Sequence, residues 1–357
     1  MNLNFKNMPN GSLPYDNVQS CKKMVLRLYD KFPFLPELPL LNPNDTTVKR
    51  TLYNLPCLKE KDGRLLLPES NNDQLQMALM HFDKIYNSES LKDFEQYAFN
   101  TPFMEIFEAM LEKFQPKNTI LHILGPFSFA NIIFNRKATE ILTDRNFRKY
   151  VTQTVTLKAL WFIHKVKSIS PKTTPIIMFN ENLLYKFGNL KRINENITND
   201  TVITILTKVF ERVKKTGALI GVQSFTKCNW QLVFDTNLVD IISFDAYNNP
   251  NNLNILAQSV NNFLSKGGYI NWAITPVMNE NVIRSLNIEL LFNRFINTIE
   301  NLASLGVSVD LLYRNSTVSV QGDLSKFPIL FAEKALMLTE QLGKRIPNSS
   351  SSIQQNN

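Results

Sequence analysis

The sequence predicts an α/β chain wound as a (β/α)8 barrel, the TIM barrel, built as a single domain with an N-terminal extension. Three observations predict it. About seven short apolar runs alternate with stretches of helical apolar spacing, the pattern of a parallel sheet covered by helices. Neither a G-x-G-x-x-G fingerprint nor a phosphate loop is present to indicate a doubly wound sheet instead. The third is the stretch from Gly217 to Asp245. Its apolar runs Ala218 to Val222 and Val239 to Phe244 flank a short helix-like piece and both end in polar residues, as strands facing a barrel mouth do. A length of 357 residues suits one such barrel, assigned to residues 1–345, with residues 1–70 irregular.

In chain order, G-S-L-P-Y-D-N at Gly11 to Asn17 opens the recognisable structure. Glycine there permits close backbone approach to a ligand, and Ser12 with the following helix start offers hydrogen-bond donors. An amphipathic run, Val18, Cys21, Met24, Val25 and Leu28, follows. Pro33, Pro36 and Pro39 then punctuate K-F-P-F-L-P-E-L-P-L-L, predicting an extended loop hugging the surface. Residues 45–70 read as irregular, with a turn at Lys61-Asp62-Gly63 before a strand-like Arg64 to Leu67. Helical spacing from Asn72 to Phe114 places Leu75, Met77, Met80 and Phe82, and later Phe103, Ile106, Phe107, Met110, Leu111 and Phe114, in the core.

Strand-like Thr119 to Leu124 carries His122, read as a packed histidine because no second His or Cys sits at metal spacing. A long helix through Thr154 to Val166 precedes the strand Thr174 to Phe179, which ends in N-E-N-L-L. Asn199 or Asp200 caps the next helix and Gly217 stops it. Past Asp245 come a helix from Leu253 to Leu264, the strand Tyr269 to Ile274, a helix from Glu289 to Leu305 and a strand from Val307 to Tyr313. The loop R-N-S-T-V-S-V-Q-G-D-L-S then leads to a last helix, Phe331 to Leu342. Residues 346–357 form a polar low-complexity tail, expected to be disordered.

Hydrophobic residues at 44% and charged residues at 20% suit a folded domain with a large core. The formal charge, 39 − 31 = +8, favours an anionic small-molecule ligand. It does not indicate nucleic acid, because the densest basic group, Arg136, Lys137, Arg145, Arg148 and Lys149, lacks interleaved aromatics and reads as a solvated helix face. Cys21, Cys57 and Cys228 stand in separate segments without a C-x-x-C pair, so a disulfide framework is not expected. No stretch approaches the ~20 apolar residues of a membrane span. The N-terminus lacks the apolar core of a secretory leader, and a cytoplasmic protein is expected.

Several landmarks, in order, carry a family resemblance: G-S-L-P, P-F-L-P-E-L-P, L-G-P-F-S-F, N-E-N-L-L, G-V-Q-S-F with N-W, S-F-D-A-Y and K-G-G-Y-I-N-W-A-I-T-P. Together they resemble the C-terminal domain of cobalamin-independent methionine synthase and its stand-alone relatives, in the superfamily shared with uroporphyrinogen decarboxylase. The resemblance spans roughly residues 8–343 and implies a methyltransferase that receives a methyl group from a folate or corrinoid. Zinc in that family holds the thiol acceptor as a thiolate. The family's His-x-Cys, Glu and final Cys ligands fall on Gln223, Phe225, Asp245 and Ser319. An amide, a phenyl ring, one carboxylate and a hydroxyl lack the soft donors zinc requires, so the ion is expected to be lost. Cys228 and His122 are the residues that would have to rebuild it.

The resemblance further implies substrate contacts at Ser12, Asn180, Gln223 and Trp230, and catalytic carboxylates at Glu181 and Asp245. Tyr15 stands where relatives often have His. A helix-capping or merely structural carboxylate is an equal reading of Asp245. Three functions follow: a divergent zinc-free methyltransferase, a pseudoenzyme that binds a small molecule or protein, and a metal-free decarboxylase related to uroporphyrinogen decarboxylase. The last lacks the Arg-rich N-terminal signature of those enzymes.

Overall fold

A computed structural model describes residues 6–61, 64–134, 142–186 and 197–346. The tail after residue 346, Asp62 and Gly63 of the expected turn, and Arg136 and Lys137 of the basic group lie outside the described residues.

Six strands form one parallel sheet in sequence order: β3 (Asn118–Leu124), β4 (Thr174–Asn180), β5 (Leu219–Ser224), β6 (Ile241–Asp245), β7 (Tyr269–Pro276) and β8 (Ser316–Gln321). A separate antiparallel pair joins β1 (Lys59–Lys61) to β2 (Arg64–Leu66). Strands buried on both faces read as apolar runs, and β3 and β7 are buried at every position. The connections are helical: Arg145–Ile169 between β3 and β4, Asn199–Lys214 before β5, Ala257–Ser265 before β7 and Ile288–Ser304 before β8. The Arg145–Ile169 helix is buried at every residue from Tyr150 to Ile163, which makes it a core element rather than an amphipathic cover.

The expected eight-strand TIM barrel is not what forms. The sheet curls as a six-strand half-barrel, and β8 and β3 are its two open edges. Irregular N-terminal chain occupies the gap. Asn7 bridges Val318 of β8, Phe34 bridges Ile120 of β3, and Ser12 bridges Glu37 between them. Prolines explain why these contacts stay single. Pro33, Pro36 and Pro39 remove ladder donors, as does Pro9, so no continuous strand can pair there.

The proline-rich segment is therefore interior, not surface: Phe32, Phe34, Leu35 and Leu38 are all buried. Arg50, itself buried, fixes it by donating to the carbonyls of Leu35 (3.1 Å) and Pro36 (2.6 Å) while pairing with buried Asp45 (2.7 Å). Arg50 lies on a helix, Thr47–Leu52, in the region read as irregular.

Other expectations also shift. Val307 to Tyr313 is not a strand. Ser308 caps a short helix, Val309–Arg314, and the strand is the following S-T-V-S-V-Q, read as loop. Its inward positions are Thr and Ser, which disguise a buried strand. Thr198, not Asn199 or Asp200, caps the Asn199–Lys214 helix. Met77 and Met80 are 70% and 71% exposed, while Leu75, Phe82, Phe103, Phe107, Met110 and Leu111 join the core.

Candidate functional site

Register aligns the polar residues of the inner sheet face. Asn180 on β4 lies opposite Gln223 on β5, Gln223 opposite Ser243 on β6, Ser243 opposite Asn271 on β7, and Asn271 opposite Thr317 on β8. Because alternate residues share a face, this row crosses five strands, running from the C-terminal ends of β4 and β5 through the middle of β6 to the N-terminal halves of β7 and β8. His122 joins diagonally from β3 and Ser319 from β8.

Hydrogen bonds connect the row into a belt. Its β7–β8 half is tight and buried. Asn271 Nδ2 donates to Ser243 Oγ at 2.8 Å and Ser319 Oγ at 2.9 Å, and Thr317 Oγ1 donates to Asn271 Oδ1 at 3.0 Å. The β3–β5 half is loose. Gln223 Nε2 lies 3.3 Å from Asn180 Oδ1, Ser243 Oγ 3.4 Å from Gln223 Oε1, and His122 Nδ1 3.4 Å from Asn180 Oδ1. Bonds this long are weak. Asn180 is also the partly exposed member, so the belt is most open to a ligand there. It carries no formal charge at neutral pH: burial, opposed by contacts to Pro9 and Asn180, lowers the His122 pKa to about 4.

Two carboxylates lie farther along the strand ends. Asp245 accepts from the Asn248 backbone N–H (2.9 Å), Asn248 Nδ2 (2.8 Å) and Gln321 Nε2 (3.1 Å), so it closes the turn after β6. Ser12 donates to Asp323, which also accepts from Ser325. The Gly11-Ser12 loop thus packs on the turn after β8. Both glycines there need positive φ, +74° at Gly11 and +108° at Gly322, and a Cβ on Gly11 would stand 3.0 Å from the Gly322 carbonyl oxygen.

The structure brings Asn180, Gln223 and Ser319 into one belt, with Ser12 and Asp245 at strand-end turns. It sends three others elsewhere. Glu181, fully buried, points away from the belt and accepts from the N–H groups of Phe127 (2.8 Å) and Ser128 (3.0 Å), capping the Pro126–Phe134 helix. Trp230 packs edge-on to Phe244, which alternates away from inward-facing Ser243, so it belongs to the outer layer. Phe225 is half-buried past the end of β5, its N–H bound to Asn182 Oδ1. Tyr15 donates to Glu333 on the last helix (2.7 Å).

The zinc positions do not fit the metal. Gln223 and Ser319 are engaged in the belt, Phe225 has no donor atom, and Asp245 holds its turn. Cys228 stands past the end of β5, where burial, with Glu181 nearby, raises its thiol pKa well above the ordinary range. Among the described residues no three His, Cys, Asp or Glu side chains are grouped to hold a metal ion.

Sequence reasoning missed Ser243, Asn271, Thr317, Gln321 and Asp323. The signal available was polar residues at alternate positions inside apolar strands, N-W-A in β7 and S-T-V-S in β8. No protein-family model and no curated protein matches the chain. No helix among the described residues is long and apolar enough to cross a membrane.

Proposed function

We propose that the chain is a divergent relative of the cobalamin-independent methionine synthases whose strand-end site binds a small amino-acid or thiol ligand without zinc. The belt carries this reading. The amide of Gln223 and the hydroxyl of Ser319 occupy two of the positions where the resemblance calls for metal ligands, and with their belt neighbours they suit hydrogen bonding to a polar ligand. A second reading, binding without turnover, is favoured by the use of Glu181 and Asp245 as backbone caps. On either reading the protein works in the cytosol with Cys21, Cys57 and Cys228 as free thiols.

Purified protein, prepared without chelator, is expected to contain no stoichiometric zinc and to show a raised Tm with L-methionine or L-homocysteine, since a ligand of the native state stabilises it. Stoichiometric zinc refutes the metal-free site. Methyl transfer to homocysteine from methyltetrahydrofolate or methylcobalamin would decide for catalysis over binding alone.

A further inference from the structure

We infer that His122 sets the hydrogen-bond polarity of the belt, so that Asn180 turns its amide NH2 inward and its carbonyl oxygen toward the strand ends, selecting a ligand that donates a hydrogen bond there. That ligand class is an ammonium or amide N–H rather than a lone carboxylate. The inference rests on the ligand site proposed above.

The argument begins with a mismatch. His122 stands between two oxygens, Nε2 at 3.3 Å from the Pro9 carbonyl and Nδ1 at 3.4 Å from Asn180 Oδ1. A neutral imidazole has one N–H and one lone pair, so it cannot donate to both. The Pro9 carbonyl belongs to the backbone and can only accept. Nε2 therefore keeps the proton, and the Nδ1 lone pair faces the amide of Asn180.

An amide is nearly symmetric in shape, and its hydrogen bonds decide which end is oxygen. Reversing Asn180 replaces the opposed lone pairs with an NH2 whose two hydrogens serve His122 Nδ1 and Gln223. Gln223 reverses in turn, presenting Oε1 to Asn180 and Nε2 to Ser243 Oγ. Ser243 Oγ then accepts from both Gln223 and Asn271, and its own hydrogen is released from Gln223 Oε1. Each contact among His122, Asn180, Gln223 and Ser243 then pairs a donor with an acceptor without a buried charge, at the cost of one freed Ser243 hydroxyl hydrogen.

The alternative is an imidazolium that donates on both sides. Burial disfavours that cation, and the Arg50 guanidinium adds like charge. Asp45 pairs with Arg50, and buried Glu37 also acts on that guanidinium. The ring's immediate contacts, Pro9 and Asn180, are neutral. Among the described residues the second polar atom of the Asn180 amide has no partner, and the residue is partly exposed. In the reversed state that atom is a carbonyl oxygen.

The chain has three histidines, His81, His122 and His164. Long-range proton–nitrogen NMR correlation on 15N-labelled protein, with His81→Gln and His164→Gln to assign by elimination, reads the His122 tautomer directly. The Nε2–H form is expected at pH 7 and persists on titration to pH 5. An Nδ1–H tautomer or an imidazolium at pH 7 overturns the inference. For selectivity the probes are L-methionine and 4-(methylthio)butanoate, which lacks only the ammonium. At least tenfold weaker binding of the second is expected, and equal binding overturns the selectivity. Asn180→Asp, which cannot donate to Nδ1, should bring His122 protonation up toward neutral pH, and an unchanged midpoint counts against the relay. A wrong tautomer with L-methionine still bound removes this inference alone. Failure of both L-methionine and L-homocysteine to bind removes the proposed function, and the selectivity with it.

Discussion

Glu181 keeps a carboxylate in the protein interior, answered by two backbone N–H groups and the Ser128 hydroxyl at 3.1 Å. Gly125 leaves the room: a Cβ there would lie 2.3 Å from Glu181 Cγ. Burial raises the carboxyl pKa from 4.5 to about 7, with the hydrogen bonds from Phe127 and Ser128 pulling the other way. The folded state therefore binds a proton that the unfolded state releases between pH 4.5 and 7. Stability from this group is full below pH 4.5 and falls as pH rises through 7, the sense required by proton linkage. At ~1.4 kcal/mol per pKa unit the window is worth roughly 3 kcal/mol. Glu181→Gln abolishes the titration, though its NH2 meets a donor. The wild type's advantage over the variant, from urea midpoints, is thus expected to be largest near pH 5 and to shrink toward pH 8. His122 titrates with the opposite slope, but it is common to both proteins and cancels. An advantage independent of pH would rule out an interior carboxylate that titrates.

Among the elements, the proline-rich segment depends most on one side chain. Removing the Arg50 guanidinium strands the Leu35 and Pro36 carbonyls and leaves Asp45 buried without its cation. Breaking a buried pair this way costs about 3–5 kcal/mol. Arg50→Met is expected to show that loss in chemical denaturation, together with faster hydrogen exchange at the Leu38 amide, which donates to Asp45 at 2.9 Å. Normal Leu38 protection would show that prolines alone hold the segment. This knot was invisible in sequence because Asp45 and Arg50 look like ordinary loop charges until burial is known. Strands β3 to β7 were legible, since apolar runs bounded by turns identify buried parallel strands. β8 was not, because Thr317 and Ser319 serve the belt and suppress its apolar signal. The site divides along the same line. Asn180, Gln223 and Ser319 were found through family spacing. Asn271 was not singled out, and Trp230 was counted among the substrate contacts, because spacing along a chain does not reveal which face a residue takes.

For the whole molecule, the decisive contact joins the two ends of the sequence. Lys6 O accepts from Val318 N–H at 2.7 Å and Met8 N–H donates to Val318 O at 2.8 Å, so the N-terminal segment satisfies the open edge of β8. Leu13 N–H donates to Glu37 O at 2.9 Å, tying the segment to the chain beside β3. Lys6 also caps the Val309–Arg314 helix through the Tyr313 carbonyl at 2.8 Å, and burial lowers its pKa to about 8. Deleting residues 1–14 would leave the Val318 backbone groups unpaired and remove the cover supplied by buried Met8 and Leu13. An uncovered edge of a curled parallel sheet recruits another chain. The truncated protein is expected to run as a larger assembly than the full chain in light-scattering chromatography and to melt more than about 5 °C lower. It would also free His122 Nε2 from the Pro9 carbonyl, so the imidazole tautomer should become mixed. A truncation with the full chain's assembly state, unchanged Tm and an unchanged His122 tautomer would mean that the six-strand sheet stands without its N-terminal seam, and that the belt's polarity is set from within the sheet.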